Sequence, residues 1–340
     1  MSRLSTSTGS LSGTSDGVTA VAAPKVSIGL PVYNGENFIA DAISSVLAQT
    51  LTDFELIVQD NASTDRTAEI CADFAARDKR VRYFRNPRNL GAAPNYNLAY
   101  SMARGEYFKW LAHDDRLMPG YLAATVAALD ARADAVLCDT VVRYIDAEGG
   151  VIGLYDSGLA GADLPSPAAR FARMVLSSHS CVDFFGLIRR SALKKSLLHG
   201  SFHGADRALL AQMALRGRFV QLQEPLVEMR EHGNRYTRRQ VRSTERLAWH
   251  DASLRGKITL PAWRLYGEYL KLVRGEMLSV GERMRCYGVL TRWWGTNWNI
   301  ARAGVDLLAV AIPSAPSMAE RLKTRFFGAA PGHFLKERQH

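Results

Sequence analysis

The sequence predicts an α/β domain, a mixed but mainly parallel sheet flanked by helices, followed by a helical extension. Three observations lead there. From Val26 to Leu111, short apolar runs alternate with helix-length amphipathic stretches, the pattern of parallel strands joined by crossovers. Three of those runs end on polar, chemically able residues, as strands do when an open sheet carries a site at their C-terminal ends. The charge is also divided: residues 1–229 hold 23 Lys and Arg against 24 Asp and Glu, whereas residues 230–340 hold 20 against 9. The net charge of +10 therefore belongs to the C-terminal third, and a hydrophobic share of 47% excludes a disordered or fibrous chain.

Taken in order, Met1 to Ala23 is rich in Ser, Thr and Gly and has no apolar h-region, so residues 1–24 read as a disordered leader rather than a secretory signal. Val26–Leu30, stopped by Pro31, is the first strand, and Phe38–Leu47 repeats apolar residues at helical spacing. Glu55–Asp60 is the second strand. Thr64–Arg77 is a helix with Ser63 or Thr64 as its N-cap. Val81–Arg85, Asn95–Ala103 and Tyr107–Leu111 continue as strand, helix and strand. Tyr121–Ala131 reads as a helix, and Ala135–Asp139 and Val141–Ile145 as two strands. Residues 147–167 are rich in Gly, Ala, Asp and Pro and read as a loop. Ala205–Arg216 is a helix and Phe219–Leu222 a short strand, and from about Arg238 the chain is helical, basic and aromatic. This gives a catalytic-type unit over 25–237, with halves at 25–120 and 121–237, and an extension over 238–340.

Cys71, Cys138, Cys181 and Cys286 are scattered without metal-ligand spacing, which fits reduced, buried thiols and a cytoplasmic setting. No run of 18 apolar residues suggests a membrane span. A GxGxxG after the first strand and a GxxxxGK[ST] are both lacking, which argues against dinucleotide dehydrogenases and P-loop enzymes. Asp114 and Asp115 are adjacent carboxylates that repel unless a cation lies between them, and hard divalent ions prefer such oxygen ligands. A solvated turn in which Asp114 caps the next helix suits the pair equally.

The ordered set Pro31-Val32-Tyr33-Asn34, Glu55-Leu56-Ile57-Val58, Asp60-Asn61-Ala62-Ser63-Thr64-Asp65, Asn89-Leu90-Gly91, Ala103-Arg104-Gly105-Glu106-Tyr107 and Asp114-Asp115 resembles the opening of family 2 glycosyltransferases over residues 25–120. The resemblance implies a GT-A fold and inverting transfer of a sugar from a nucleotide-diphosphate donor, with UDP- or dTDP-sugars favoured. It implies that Asp60 accepts from the imide N–H of the base, and that Pro31, Tyr33, Asn34, Asn89 and Asp114 line the donor. Asp115 matches the residue that binds Mn²⁺ or Mg²⁺, and His232 falls where relatives place a His near the diphosphate or metal. Arg230, Arg235 and Arg238 join a phosphate-facing cluster on this reading. Where many relatives carry a further acid, this chain has Ala112-His113. Gly204-Ala205-Asp206-Arg207 resembles the family's base segment, so Asp206 is the general base and Asp183 the fallback.

The extension mixes Arg and Lys with aromatics and holds Trp263, Trp293, Trp294 and Trp298, four of the six Trp. Basic, Trp-bearing helices suit an anionic membrane surface. Packing of those aromatics on the catalytic unit accounts for the same composition, and nucleic acid is disfavoured because no recognisable module accompanies it. The reading is a transferase acting on a cell-surface glycan or lipid-linked acceptor, peripheral on the inner face of the cell membrane. The rival is a non-catalytic membrane-surface assembly protein with a degenerate transferase fold.

Overall fold

The structure is a computed structural model describing residues 23–157, 162–233, 249–254, 260–312, 315 and 318–319. The apolar runs of the first half form four parallel strands, β1 (Val26–Val32), β2 (Phe54–Asp60), β3 (Val81–Arg85) and β4 (Tyr107–Trp110). Between them run α1 (Ile39–Leu47), α2 (Thr67–Arg77) and α3 (Ala92–Ser101). β1 and β2 are buried along their whole length, which is why they read as continuous apolar segments. Side-chain alternation sends Tyr107 and Leu111 into the apolar cluster on one side of the sheet and Phe108 and Trp110 into the cluster on the other. Gly29 lets α3 close onto β1, because a Cβ there would lie 2.8 Å from Phe108 Cζ and 3.0 Å from Ala99 Cβ.

α2 begins three residues later than expected because its anticipated caps are used elsewhere. Ser63 Oγ accepts the Asn34 N–H at 2.9 Å, and the Thr64 N–H donates to Asn34 Oδ1 at 2.8 Å. These residues join the β1 and β2 loops instead of opening the helix.

The second half contains β5 (Arg116–Leu117), α4 (Tyr121–Asp130), β6 (Ala135–Ile145), β7 (Val151–Tyr155), α5 (Pro167–Leu176), a 3-10 turn (Val182–Phe185), β8 (Leu187–Arg189), α6 (Arg190–Leu193), α7 (Ala205–Arg216) and β9 (Arg218–Arg230). The two strands expected over 135–145 are one, with register shifts near Thr140 and Val141 marking the break the sequence suggested. The expected loop over 147–167 contains β7, which pairs antiparallel with β6. The described sheet runs β3-β2-β1-β4-β8-β6-β9-β5, with β7 on β6. β8 is antiparallel to both β4 and β6, which makes the sheet mixed, and β9 carries its C-terminal end to the mouth of β4.

Behind this body lie α8 (Pro261–Gly275), α9 (Val280–Trp293) and α10 (Asn299–Ala311). α8 packs on α7 and α9 on α5, and Tyr269 and Trp293 are buried in the same apolar cluster as Trp110. Glu276 pairs with Arg216 at 2.7 Å, and Glu282 accepts from Ser166 Oγ and the Ala168 N–H, both at 2.8 Å, at the positive end of α5. The packing reading therefore holds for α8 and α9. No helix among the described residues is long and apolar enough to cross a membrane. The leader to residue 22, the boundary near 237, and Arg235 and Arg238 lie outside the described residues.

Candidate active site

The C-terminal ends of β1, β2 and β4 converge with the end of β9. Two loop residues there, Asn34 (φ +53°) and Ala62 (φ +62°), sit in the left-handed region that non-glycine residues seldom occupy. They are held by the Asn34 bridge, by the Gly35 N–H donating to Thr67 Oγ1 at 2.8 Å, and by the Glu36 N–H donating to Asp65 Oδ2 at 3.1 Å. Tyr33 stands exposed beside this bridge, while Pro31 lies within buried β1. Asp60 is fully buried: Oδ1 accepts the Ser63 N–H and Oδ2 the Tyr83 hydroxyl, each at 2.8 Å. The amide of Asn61 donates to Asn89 Oδ1 at 2.9 Å and to the Gly91 carbonyl at 3.1 Å, so Asn89 shapes the third loop.

Asp114 and Asp115 are both buried. Asp115 Oδ1 accepts the Arg230 N–H at 3.0 Å, and Asp114 Oδ2 lies 3.0 Å from His232 Nε2, whose ring packs on Phe38. The Arg230 side chain, only 2% exposed, bonds the Asp114 carbonyl (3.2 Å), the Ala147 carbonyl (2.8 Å) and Asp41 Oδ2 (3.2 Å), and lies over Phe38. It is a clamp joining β9, α1 and the Asp pair, rather than the phosphate-facing group the sequence suggested. His113 packs beneath Gly35, where a Cβ would come within 2.6 Å of its ring. Burial pushes the His113 imidazole below its ordinary range, against the opposing carboxylate of Asp114.

The donor set fits a hard divalent cation in part. The 3.0 Å separation of Asp114 Oδ2 and His232 Nε2 matches the edge between neighbouring ligands of an octahedron with bonds of about 2.1 Å. Among the described residues no three His, Cys, Asp or Glu side chains converge as an ion site. A cation here would take its remaining ligands from phosphate and water, as Mg²⁺ commonly does.

On the acceptor side, Asp206 lies in the first turn of α7, behind Gly204 (φ +86°), and its Oδ1 accepts the Arg207 N–H at 2.8 Å. Its surroundings are the 179–181 segment, not the Asp114–His232 group. The Arg207 guanidinium fixes that segment by donating to the His179 carbonyl at 2.7 Å and the Ser177 carbonyl at 3.1 Å. The buried Cys181 thiol is pushed well up, chiefly by burial and then by the Asp206 charge. Asp183 does not reach Asp206 but faces Asp139 across the 3-10 turn. Burial, and next the Asp183 charge, hold the Asp139 carboxyl well above the usual range, with Gln221 Nε2 3.3 Å from Asp139.

Sequence reasoning missed Asp139 and Lys109. Lys109 is fully buried on β4, donating to the Phe185 carbonyl and lying 4.5 Å from the Tyr121 ring centre. Burial pushes its ammonium down to about 7, against the attraction of Asp115. The available signal was a charged residue inside an apolar strand, Lys109 in Tyr107–Leu111 and Asp139 in Val136–Val142.

A family model described as glycosyl transferase family 2 matches residues 27–197. An uncharacterized glycosyltransferase of Rickettsia typhi is 38% identical over 108 residues, covering 32% of this chain and 33% of the relative. One of Methanocaldococcus jannaschii is 33% identical over 131 residues, covering 38% and 45%. Glycosyltransferase GlyG of Streptococcus pneumoniae is 28% identical over 124 residues, covering 36% and 41%. The matches thus span from a third to under half of these relatives' lengths. Among solved structures, S. aureus TarS 1-349 in complex with UDP-GlcNAc superposes with a TM-score of 0.59 at 18% identity, covering 80% of this chain and 73% of that one. Mannosyltransferase PcManGT from Pyrobaculum calidifontis in complex with GDP-Man and Mn²⁺ gives 0.53 at 17%, covering 90% and 81%. These likenesses show the fold, which is the GT-A architecture with C-terminal helices that the sequence led us to expect.

Proposed function

The chain belongs to glycosyl transferase family 2, and on that premise we propose that it transfers a sugar from a nucleotide-diphosphate donor, with UDP- or dTDP-sugars favoured. The acceptor is a hydroxyl of a surface glycan or lipid-linked molecule at the inner face of the membrane. The observation that carries this reading is the Asp114–His232 and Asp115–Arg230 group at the ends of parallel strands, beside two loops held in left-handed backbone. The complexes of UDP-GlcNAc and of GDP-Man with Mn²⁺ in two proteins of like fold support a nucleotide-sugar donor. We assign the donor site to residues 25–120, the acceptor site to 121–237 and the extension to 238–340.

Asp115 and His232 would hold Mn²⁺ or Mg²⁺, with Asp114 beside them on the donor, and the ion would supply positive charge to the departing diphosphate. The exposed Tyr33 ring lies along the nucleoside, with Pro31, Asn34 and Asn89 shaping the loops around it. Base contact at Asp60 requires the Tyr83 hydroxyl to yield its oxygen to the imide N–H. Asp206 accepts the proton of the acceptor hydroxyl as that oxygen bonds to the anomeric carbon from the far side. The bond from that carbon to the diphosphate oxygen breaks, and the configuration inverts. A thermal-shift panel tests this: UDP with Mn²⁺ should raise the melting temperature, and no shift with any UDP, dTDP or GDP ligand would refute donor binding.

A further inference from the structure

α10 is folded inside out. Its inward face carries polar residues with definite work: Asp306 accepts the Ala262 N–H at 2.7 Å, closing the start of α8, and the Asn299 amide donates to the Trp293 carbonyl at 2.8 Å. The remaining inward contacts are made by the small Ala303 and Ala309. Its outward face is apolar, with Ile300 65%, Leu307 54% and Leu308 56% exposed, and spacing of seven and eight residues places these three on one stripe. Trp298, 74% exposed, stands at the head of the helix, and with Trp294, Ile300 and Ala301 it borders an open hollow of about 660 Å³. A soluble helix normally turns these faces the other way, and a contiguous exposed apolar face marks an interaction surface.

Charge selects the occupant. Over residues 260–312 each acid is taken up within the protein: Glu268 by Arg264 and Lys271, Glu276 by Arg216, Glu282 at the start of α5, and Asp306 at the start of α8. Arg274, Arg292 and Arg302 are exposed. Residues 260–312 thus carry seven Lys and Arg against four acids that are all engaged within the protein, and this net charge of +3 repels a second copy presenting the same face and attracts anionic headgroups.

We propose that α10, led by Trp298, lies in the interface of an anionic lipid bilayer with Ile300, Leu307 and Leu308 in the acyl region. This deepens the membrane part of the proposed function by naming the element that makes the contact. It leaves the donor site out of the contact, so the two can fail separately. The test is flotation of the full chain with phosphatidylcholine vesicles containing roughly 30% phosphatidylserine, and with phosphatidylcholine alone. The wild type is expected to float with the anionic vesicles and to be released by salt. Leu307→Asp/Leu308→Asp is expected to weaken binding by about tenfold or more, while keeping its melting temperature and its UDP-induced shift. Arg292→Glu/Arg302→Glu is expected to weaken anionic binding alone. Absence of flotation, or undiminished flotation of the Leu307→Asp/Leu308→Asp chain, overturns the proposal. So does a dimer in light scattering that the same variant abolishes without any vesicle binding.

Discussion

In the donor half, the polar groups beneath the site answer one another. Asp60 is matched by Ser63 and Tyr83, Asn34 by the Ser63–Thr64 turn, and Asp115 by the Arg230 N–H. In the acceptor half, Asp139 and Asp183 face each other as a buried carboxyl pair, and Asp206 meets its neighbour's N–H and the buried Cys181 thiol. The contrast separates two ways of building a site. A fully matched network fixes backbone in unusual conformations, and its loss is felt as stability. A carboxyl with little structural work can be changed with little cost to the fold, which suits a group whose work is moving a proton.

The largest expected effect is on chemistry. Asp206→Asn keeps the bond to the Arg207 N–H and should lower transfer roughly 10²–10⁴-fold with the melting temperature nearly unchanged. Retained transfer in a radiolabelled-sugar assay would remove Asp206 as the base. Next comes Arg230→Met, which strips several buried bonds at the seam between the halves. Urea denaturation should show a loss of about 3–5 kcal/mol. A small loss would mean that the clamp is not what holds Asp114 and Asp115. Gly29→Ala forces a methyl against Phe108 and Ala99 and should cost about 1–3 kcal/mol in the same measurement.

A further effect is read as a slope instead of a single loss. With its native pKa near 7 and an unfolded value of about 10.4, Lys109 binds fewer protons in the folded chain between those limits. Its contribution is therefore least favourable below pH 7 and improves as pH rises through this window. Relative to wild type, Lys109→Met should flatten stability against pH between about 7 and 10. Parallel curves would show that Lys109 titrates normally.

The same contrast explains what the sequence made legible. Strands and loops of the donor half are contiguous in sequence, so their apolar runs and polar ends show the sheet and the Asp114–Asp115 corner directly. α7 is read to both of its ends because Gly204 and Gly217 bracket a steady apolar pattern. The acceptor half depends on pairings between distant segments. β5 has two residues and exists because Leu117 and Arg116 pair with Val227 and Glu228, and β7 is an exposed hairpin arm on β6. α5, with its Ser166 cap and Pro167, begins where the stretch expected to be a loop ends. Asp60 shows the limit at the site itself, since its partner Tyr83 comes from another strand and no local pattern announces it.

Calorimetric titration of UDP in the presence of Mn²⁺ tests most directly whether donor binding and proton transfer belong to different halves. Asp206→Asn should bind UDP within about twofold of wild type, whereas Asp115→Asn should lose roughly tenfold or more, confined to the metal-dependent part. Loss of UDP binding in Asp206→Asn, or unchanged metal-dependent binding in Asp115→Asn, would contradict that division.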